Sequence, residues 1–424
     1  MNCDASPPPL LHPRRLLTWG VLLAVLIVLP LLFNKGFALS LLCQIGIMAI
    51  FALSYNMLLG QTGLLSFGHA VYFGIGAFAA MHTLNLLGKG GLPLPVTLLP
   101  LVGGLAGLLA GVLFGYVSTK RAGTTFAMIS LGIGELVASA SLMFPALFGG
   151  EGGVSGNRVV GGAVLGISYG PQIEMYYLIA GWAFISMLAM YALTQTPLGC
   201  MANAVRDNPE RVQFVGYDPQ WVRFMMLVLS GGFAGIAGAL SALNYEIVTA
   251  ETLGAQTSGA VLMMAFVGGV GWFHGPIIGA VLITLLQIAL SGLTKAWLFY
   301  FGLFFLCMVL YLPGGIASLL SMHQRLWQAR LLGWVLPSYV RLALPLALVA
   351  GGLIGLVEMA YQRAEAAEIP LRLFGAPIDV TLATPWLGAL AALCGGLVLL
   401  RASWPAVTGA WRRALLRLEG GEET

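Results

Sequence analysis

Residues 174–244 read EMYYLIAGWAFISMLAMYALTQTPLGCMANAVRDNPERVQFVGYDPQWVRFMMLVLSGGFAGIAGALSALN. Two apolar runs, 174–194 and 221–244, enclose a polar connection. Each run is long enough to cross a hydrocarbon core, which takes about 20 apolar residues in a helix. The connection 195–223 carries Arg206, Asp207, Glu210, Arg211, Asp218 and Arg223, the densest charge in the chain. Apolar helices in lipid, with charge collected in their connections, is the pattern that decides the fold class.

The whole chain repeats it. Of 424 residues, 59% are hydrophobic and 8% are charged, whereas a soluble domain carries about 25% charged and about 45–50% apolar residues. So few charges cannot coat a globule of this size. That excludes a soluble enzyme, a nucleic-acid binder and a disordered chain. Working outward from 174–244, hydropathy places helices at 16–33, 37–59, 68–87, 93–117, 124–147, 174–194, 221–244, 259–271, 275–293, 296–312, 342–361 and 381–400. The expected fold is an all-α polytopic integral membrane protein. It has about ten core helices and two more in a C-terminal extension. Segment 259–271 is too short to cross untilted and forms a broken or re-entrant pair with 275–293. Near the start, Arg14-Arg15 precedes the apolar run Leu16–Phe33; the run spans a bilayer and no A-x-A site follows, so a retained first helix is expected rather than a signal peptide.

With the N-terminus in the cytoplasm, fourteen of the twenty Lys and Arg residues fall inside. Six fall outside: Lys35, Lys89, Arg158, Lys295, Arg363 and Arg372. This distribution satisfies the positive-inside rule. Glycine is the second compositional signal. Its 57 copies are about twice the usual share of roughly 7%. Gly231 and Gly235, with Ala234 and Gly238, form overlapping small-xxx-small pairs that let helix backbones approach in lipid; Gly68, Gly74 and Gly76 form another small-rich stretch. Cys3, Cys43, Cys200, Cys307 and Cys394 are mutually distant and read as small apolar fillers.

The charged connection has its own grammar. Asn208 is a helix N-cap, Pro209 fits the first helical position, Glu210 complements the helix N-terminus, and Gly216 suits the stop. These residues, with Arg206 and Asp207 just ahead, predict a short helix over 209–215 outside the bilayer. Val212, Val215 and Phe214 are expected near one side of it. Two turns are unstable alone in water and need a partner surface.

The run from Gly199 to Phe224 resembles the coupling loop of ABC importer permeases, with Glu210 and Gly216 at the spacing of their Glu-Ala-Ala…Gly motif. Arg211 and Val212 replace the two alanines. The closer resemblance is to permeases of branched-chain amino acid importers and their urea-importing relatives, whose loop reads G-x-x-x-x-A-x-R-D-N; Gly199, Ala204, Arg206, Asp207 and Asn208 stand in that pattern. LLGQTGLLSFGHA (58–70), FGGEGGVSG (148–156), LSGGFAGIAGAL (229–240), GGVGWFHGPIIGA (268–280) and YLPGG (311–315) resemble further segments of that family in order. The resemblance divides the chain into 1–36, a tail and first helix; 37–320, the permease core; and 321–424, an extension without counterpart. It implies a sister permease, two ATPase subunits acting on loop 195–223, a periplasmic solute-binding protein, the bacterial cytoplasmic (inner) membrane as location, and no cofactor. The implied cargo is a branched-chain or other apolar amino acid, with urea or short amides as the alternative. No G-x-x-x-x-G-K-[ST] loop occurs, so ATP is expected to be hydrolysed by other subunits.

Ionisable groups at bilayer depth are costly and point to function. Glu135 lies mid-span, and Gln61, Ser66 and His69 lie in the segment 58–70, between the exit of the second helix and the start of the third. All four are candidates for the translocation pathway. Each has a structural alternative: a helix-pairing carboxyl for Glu135 and a loop-fixing imidazole for His69. Gln44 and Asn56 add polar groups nearby; His82 and His274 read as structural. No carboxylate–His cluster resembles a metal or hydrolytic site, so neither metal nor catalytic residues are expected. The competing class, an ion-coupled secondary transporter, would use Glu135 as proton carrier. A membrane-embedded enzyme has no reactive constellation to support it.

Overall fold

The computed structural model describes residues 13–33, 35–90, 94–159, 168–364, 371–373 and 376–419. They form two compact units, Met1–Leu286 with Phe305–Ala317, and Gln287–Phe304 with Ser318–Thr424.

In chain order the helices are α1 (Pro13–Leu32), α2 (Gly36–Asn56, continued by a π-helical turn Met57–Thr62), α3 (Ala70–Gly88), α4 (Leu99–Ser118), α5 (Thr124–Met143) and the single turn α6 (Pro145–Phe148). Strand β1 (Val154–Ser155) precedes α7 (Gln172–Thr194), α8 (Pro197–Asp207), α9 (Pro209–Phe214) and α10 (Pro219–Tyr245). Strand β2 (Ile247–Val248) pairs antiparallel with β1, and then come α11 (Ala255–Gly268), α12 (Gly275–Leu293), α13 (Trp297–Tyr311), α14 (Gly315–Gln328) and α15 (Leu332–Ala364). The β3–β4 hairpin (Leu371–Leu373, Ala376–Ile378) leads to α16 (Ala383–Glu419). Among the described residues nine helices are long and apolar enough to cross a membrane, or ten if α13 and α14, bent by 52°, form one span. The chain is an all-α, multi-pass membrane protein. Leu16–Leu32 and Ala255–Gly268 are apolar but shorter; the segment expected at 259–271 corresponds to the second.

The first unit is organised around α10, which packs on α3, α4 and α2. Its glycine face makes this possible. A methyl added at Gly238 would lie 1.9 Å from the Phe73 carbonyl oxygen, and one at Gly235 would lie 2.2 Å from that of Gly103. One at Gly107 would lie 2.2 Å from the Gly231 carbonyl oxygen. Backbones therefore touch directly along α3, α4 and α10, the packing that small-xxx-small sequences permit in lipid.

In the second unit α15 and α16 pack along one another. Both exceed their hydropathic segments. α16 has 37 residues, about 55 Å at the α-helical rise, against the expected 381–400. Hydropathy marks only lipid-embedded sequence, while Ala, Leu and Arg after position 400 are good helix formers and carry the helix onward. Leu326, Val335 and Ala414 form a small core joining α14 with the first turns of α15 and the last of α16; Leu331, Tyr339 and Trp411 pack against it. Nearer the C-terminal end of α15, Glu358 accepts hydrogen bonds from Thr294 Oγ1 at 2.6 Å and Tyr300 Oη at 3.0 Å.

Candidate functional site: the charged loop and the segment it grips

Three cap-proline pairs shape the connection between α7 and α10. Thr196 caps α8 before Pro197, Asn208 caps α9 before Pro209, and Asp218 caps α10 before Pro219. Asn208 Oδ1 accepts the Arg211 N–H at 3.0 Å, and Asp218 Oδ1 accepts that of Gln220 at 2.9 Å. Helix α9 stops at Gly216, where φ is +90°. Around it Gly216 N–H donates to Gln213 O at 2.9 Å and Tyr217 N–H to Val212 O at 3.2 Å. This is the paired closure of a left-handed helix stop. The helix expected at 209–215 is thus present as Pro209–Phe214, and α8 is a second, unexpected helix in the same connection.

The side chains of α9 point two ways. Val212 is buried, whereas Phe214 is 91% exposed and Val215 and Tyr217 are exposed with it. The expectation of one shared apolar side is corrected. Positions 212 and 214 are about 200° apart around a helix, so Val212 anchors the loop to its own chain while Phe214 faces away. Glu210 and Arg211 are also exposed.

Arg206, in the last turn of α8, joins this loop to the π-helical turn after α2. Its Nη1 donates to the Gly60 carbonyl oxygen. Its Nε meets Asp207 Oδ1 at 3.0 Å, with side-chain exposures of 38% and 67%. The carbonyls of Leu58 and Leu59 are taken by the N–H groups of Leu64 and Gly63. A helix end leaves carbonyls without helical partners, and Arg206 supplies the partner for Gly60. Gly63 fits beneath it, since a methyl there would lie 3.0 Å from Arg206 Cγ. On its other side Gly60 lies against the loop after α11: a methyl would stand 2.7 Å from Val270 O. Segments 58–70, 199–208 and 268–280, far apart in sequence, therefore meet at Gly60.

The pathway candidates occupy different settings. The His69 side chain is fully buried. Its Nε2 is 3.0 Å from Ser54 Oγ, whose own proton goes to Phe51 O at 2.7 Å, so Nε2–H is the donor to Ser54. Phe51 stacks on the ring at 5.5 Å, and Tyr55 and Tyr72 approach edge-on. Ser230 Oγ of α10 donates to Ser54 O at 2.6 Å, Phe67 N–H donates to Ser130 Oγ of α5, and Ala70 N–H donates to Ser258 Oγ of α11. Segment 66–70, including buried Ser66, is thereby pinned by several helices. Gln61 is buried in the π-helical turn. Tyr55 Oη, Asn56 Oδ1, Gln61 Oε1 and His69 Nδ1 are buried without protein partners among the described residues. Such atoms are uncommon and concentrate where water or a ligand completes the bonding.

Glu135 is not brought to that cluster. It is exposed on the outward face of α5 with Gly132, Leu136 and Ser139. The neighbouring Gly134 turns the other way, where a methyl would be 3.3 Å from Gly68 Cα. One residue is about 100° of helix rotation, which separates the carboxylate from the packed face. Among the described residues no group of three or more His, Cys, Asp or Glu side chains is placed to hold a metal ion.

In the sequence Arg158 is distinguished only as one of the six cations expected outside. The structure makes it a central tie. Nε donates to Tyr169 O at 2.8 Å, Nη1 to Asn244 O at 3.2 Å, and Nη2 to Gly170 O and Gln172 Oε1, each at 3.2 Å. Its N–H donates to Glu246 Oε1 at 2.9 Å. Arg158 thus fastens the loop after β1 to the C-terminal end of α10, where a cation complements the helix dipole.

Residues 37–313 match the profile of the permease component of branched-chain amino acid transport systems. The chain belongs to this family. Among individual relatives, the high-affinity branched-chain amino acid transport system permease protein LivM of Salmonella typhimurium is 25% identical over 316 residues, covering 70% of this chain and 73% of the relative. LivM of Escherichia coli K12 is 24% identical over the same length. BraD of Pseudomonas aeruginosa, also named as a permease protein of such a system, is 22% identical over 245 residues, 55% of this chain and 79% of the relative. No solved structure matches the chain. This permease is a transport subunit and not an enzyme, and the charged loop and the Gly60 junction both lie inside the matched span.

Proposed function

We propose that this permease is the membrane-spanning subunit of an ATP-driven importer for branched-chain or other apolar amino acids. It lies in the bacterial cytoplasmic membrane with its N-terminus inside. It pairs with a sister permease, two ATPase subunits drive it through loop 195–223, and a periplasmic solute-binding protein delivers the cargo. Residues 37–320 carry the transport core. The observation that carries this reading is the build of the loop: three capped helices, a left-handed stop at Gly216, an outward Phe214, and one arginine joining the assembly to Gly60. Such a part transmits force. ATPase closure displaces α9; Arg206 passes the displacement to the end of α2; and segment 60–69, held by α5, α10 and α11, moves with it.

Two further placements support roles on the solute route. The unpartnered polar atoms of Asn56 and Gln61 offer hydrogen bonds to water or solute. The exposure of Glu135 on the outward face of α5 supports a setting completed by the sister permease, because a bare carboxylate facing lipid at that depth is disfavoured. Urea or a short amide is the alternative cargo, because a separate binding protein sets much of the specificity.

Reconstitution in proteoliposomes tests the reading. Uptake of a branched-chain amino acid is expected only with the sister permease, the ATPases, the binding protein and ATP all present. Uptake by the lone chain down a proton gradient would instead establish an ion-coupled carrier using Glu135. ATP-driven uptake of urea without amino acid uptake would replace the cargo but keep the mechanism.

A further inference from the structure

The part of the chain beyond the family match ends in an unusual surface. Arg325, Arg330, Arg341, Arg401, Arg412, Arg413 and Arg417 are all exposed. Lysine does not occur after Lys295, and the segments 314–357 and 380–418 hold no Asp or Glu. Glu419, Glu422 and Glu423 follow at the C-terminus and offset part of this charge. Among the described residues no carboxylate pairs with any of the seven.

The arginines share one end of the second unit with aromatic side chains. The Leu326–Val335–Ala414 core brings α14, the start of α15 and the end of α16 together. Trp327 is 76% exposed there, and Trp334 and Trp404 are exposed as well. Arg417 lies over the Trp334 ring at 4.0 Å. His323 donates to or accepts from Tyr339 Oη at 2.9 Å, and its ring meets Trp411 at 5.3 Å. An open recess of about 410 Å³ is lined by Thr408, Trp411, Arg412, Leu415 and Leu416. Its lining combines a guanidinium and a hydroxyl with leucine side chains, the mixture that an amphiphile with an anionic head requires.

Arg330 adds a backbone observation. It sits at φ +57°, where Arg330 N–H donates to Trp327 O at 2.9 Å and Leu331 N–H to Leu326 O at 2.9 Å. This is the same stop that Gly216 makes after α9. A side chain in that conformation costs about 1–2 kcal/mol relative to glycine. An arginine therefore occupies a position for which glycine is the cheaper residue, as happens where the side chain has a use.

We propose that the arginine- and tryptophan-rich end of α14, α15 and α16 is a binding site for anionic phospholipid headgroups. The guanidinium fork matches phosphate oxygens in pairs, which a lysine ammonium does not. Tryptophan settles at the membrane–water boundary. The length of α16 carries Arg412, Arg413 and Arg417 past the apolar stretch to headgroup level. Placing this end in the cytoplasm rests on the orientation proposed above, but the lipid contact does not; an inverted chain would still bind, and its failure would leave the orientation standing.

The test is native mass spectrometry of the full-length chain, delipidated and then titrated with phosphatidylglycerol or phosphatidylcholine. The chain is expected to retain phosphatidylglycerol preferentially. Each arginine near an anionic surface is worth about fivefold in binding, so R412Q/R413Q should reduce the preference by about tenfold or more with an unchanged elution profile in detergent. R412K/R413K should retain part of it, and R121Q, a cation in another loop, should retain all. An undiminished preference in R412Q/R413Q, or an equal loss in R121Q, would overturn the site. Displacement of the lipid by millimolar inorganic phosphate would reassign it to a free anion. Loss of ATPase co-purification in R412Q/R413Q with lipid preference intact would reassign the surface to a protein partner.

Discussion

Arg206→Ala removes the side chain whose hydrogen bond to Gly60 joins the charged loop to the end of α2. Two contacts are lost. The pair with Asp207 involves side chains that are 38% and 67% exposed, and an exposed ion pair is worth about 0–1 kcal/mol. The bond from Nη1 to the Gly60 carbonyl is part-buried, and a hydrogen bond from a charged group contributes about 1.5–3 kcal/mol. The Gly60 contact therefore dominates, and its loss leaves a helix-end carbonyl without a protein partner. A coupling loss of about 2 kcal/mol corresponds to roughly thirtyfold. The rest of the loop keeps its caps and its buried Val212, so the chain should still insert and still bind ATPases. The assay is solute transported per ATP hydrolysed in proteoliposomes holding the complete importer. Uptake should fall by about tenfold or more while ATPase activity stays within about twofold, with Arg206→Lys recovering part of the loss. Uptake within about twofold of wild type, at equal protein and equal ATPase activity, would refute the idea that force passes through Arg206.

Other perturbations address separate parts. Gly238→Ala drives a methyl to 1.9 Å from Phe73 O, and overpacking costs about 1–3 kcal/mol; thermal unfolding in detergent should drop, and an unchanged melting temperature would show that the helix seam is not tight. Gly216→Val forces a β-branched residue to φ +90° but meets nothing within 4 Å; ATPase co-purification should fall while insertion persists, and unaltered co-purification would reduce the loop to a solvated link. Arg158→Ala strips donors from carbonyls of Tyr169, Gly170 and Asn244, where a buried acceptor left unpaired costs about 1–3 kcal/mol; protease sensitivity of the segment after β1 should rise, and full protection would contradict the tie. Glu135→Gln should change transport without loss of assembly with the sister permease, whereas loss of assembly would favour a structural carboxyl.

Local chemistry was legible in the sequence. Lipid forces apolar runs into helices, so hydropathy located most spans, and Asn208, Pro209 and Gly216 announced α9 because capping and left-handed stops use few residue types. Thr196-Pro197 and Asp218-Pro219 carry the same signal as Asn208-Pro209 and were open to the same reading; α8 was overlooked because hydropathy does not register a polar helix. Non-local contacts were hidden. Arg206 and Gly60 are 146 positions apart, and no spacing rule joins them. Arg158 has the sequence appearance of any loop cation, since its acceptors are main-chain carbonyls common to every residue. Glu135 was legible as a mid-span carboxylate with two open roles, but which face a residue takes depends on how α5 packs. The extension of α16 beyond position 400 was readable from its helix formers, though not from membrane length.

Sidedness of loop 195–223 tests the central claim most directly. Asp207→Cys, in a chain whose five native cysteines are replaced, would be treated with a membrane-impermeant thiol reagent in inverted and in right-side-out vesicles. Asp207 is exposed, so access depends on the side it faces. Labelling in inverted vesicles alone is expected of a loop worked by cytoplasmic ATPases. Labelling in right-side-out vesicles alone would put the loop out of their reach and contradict the proposed drive.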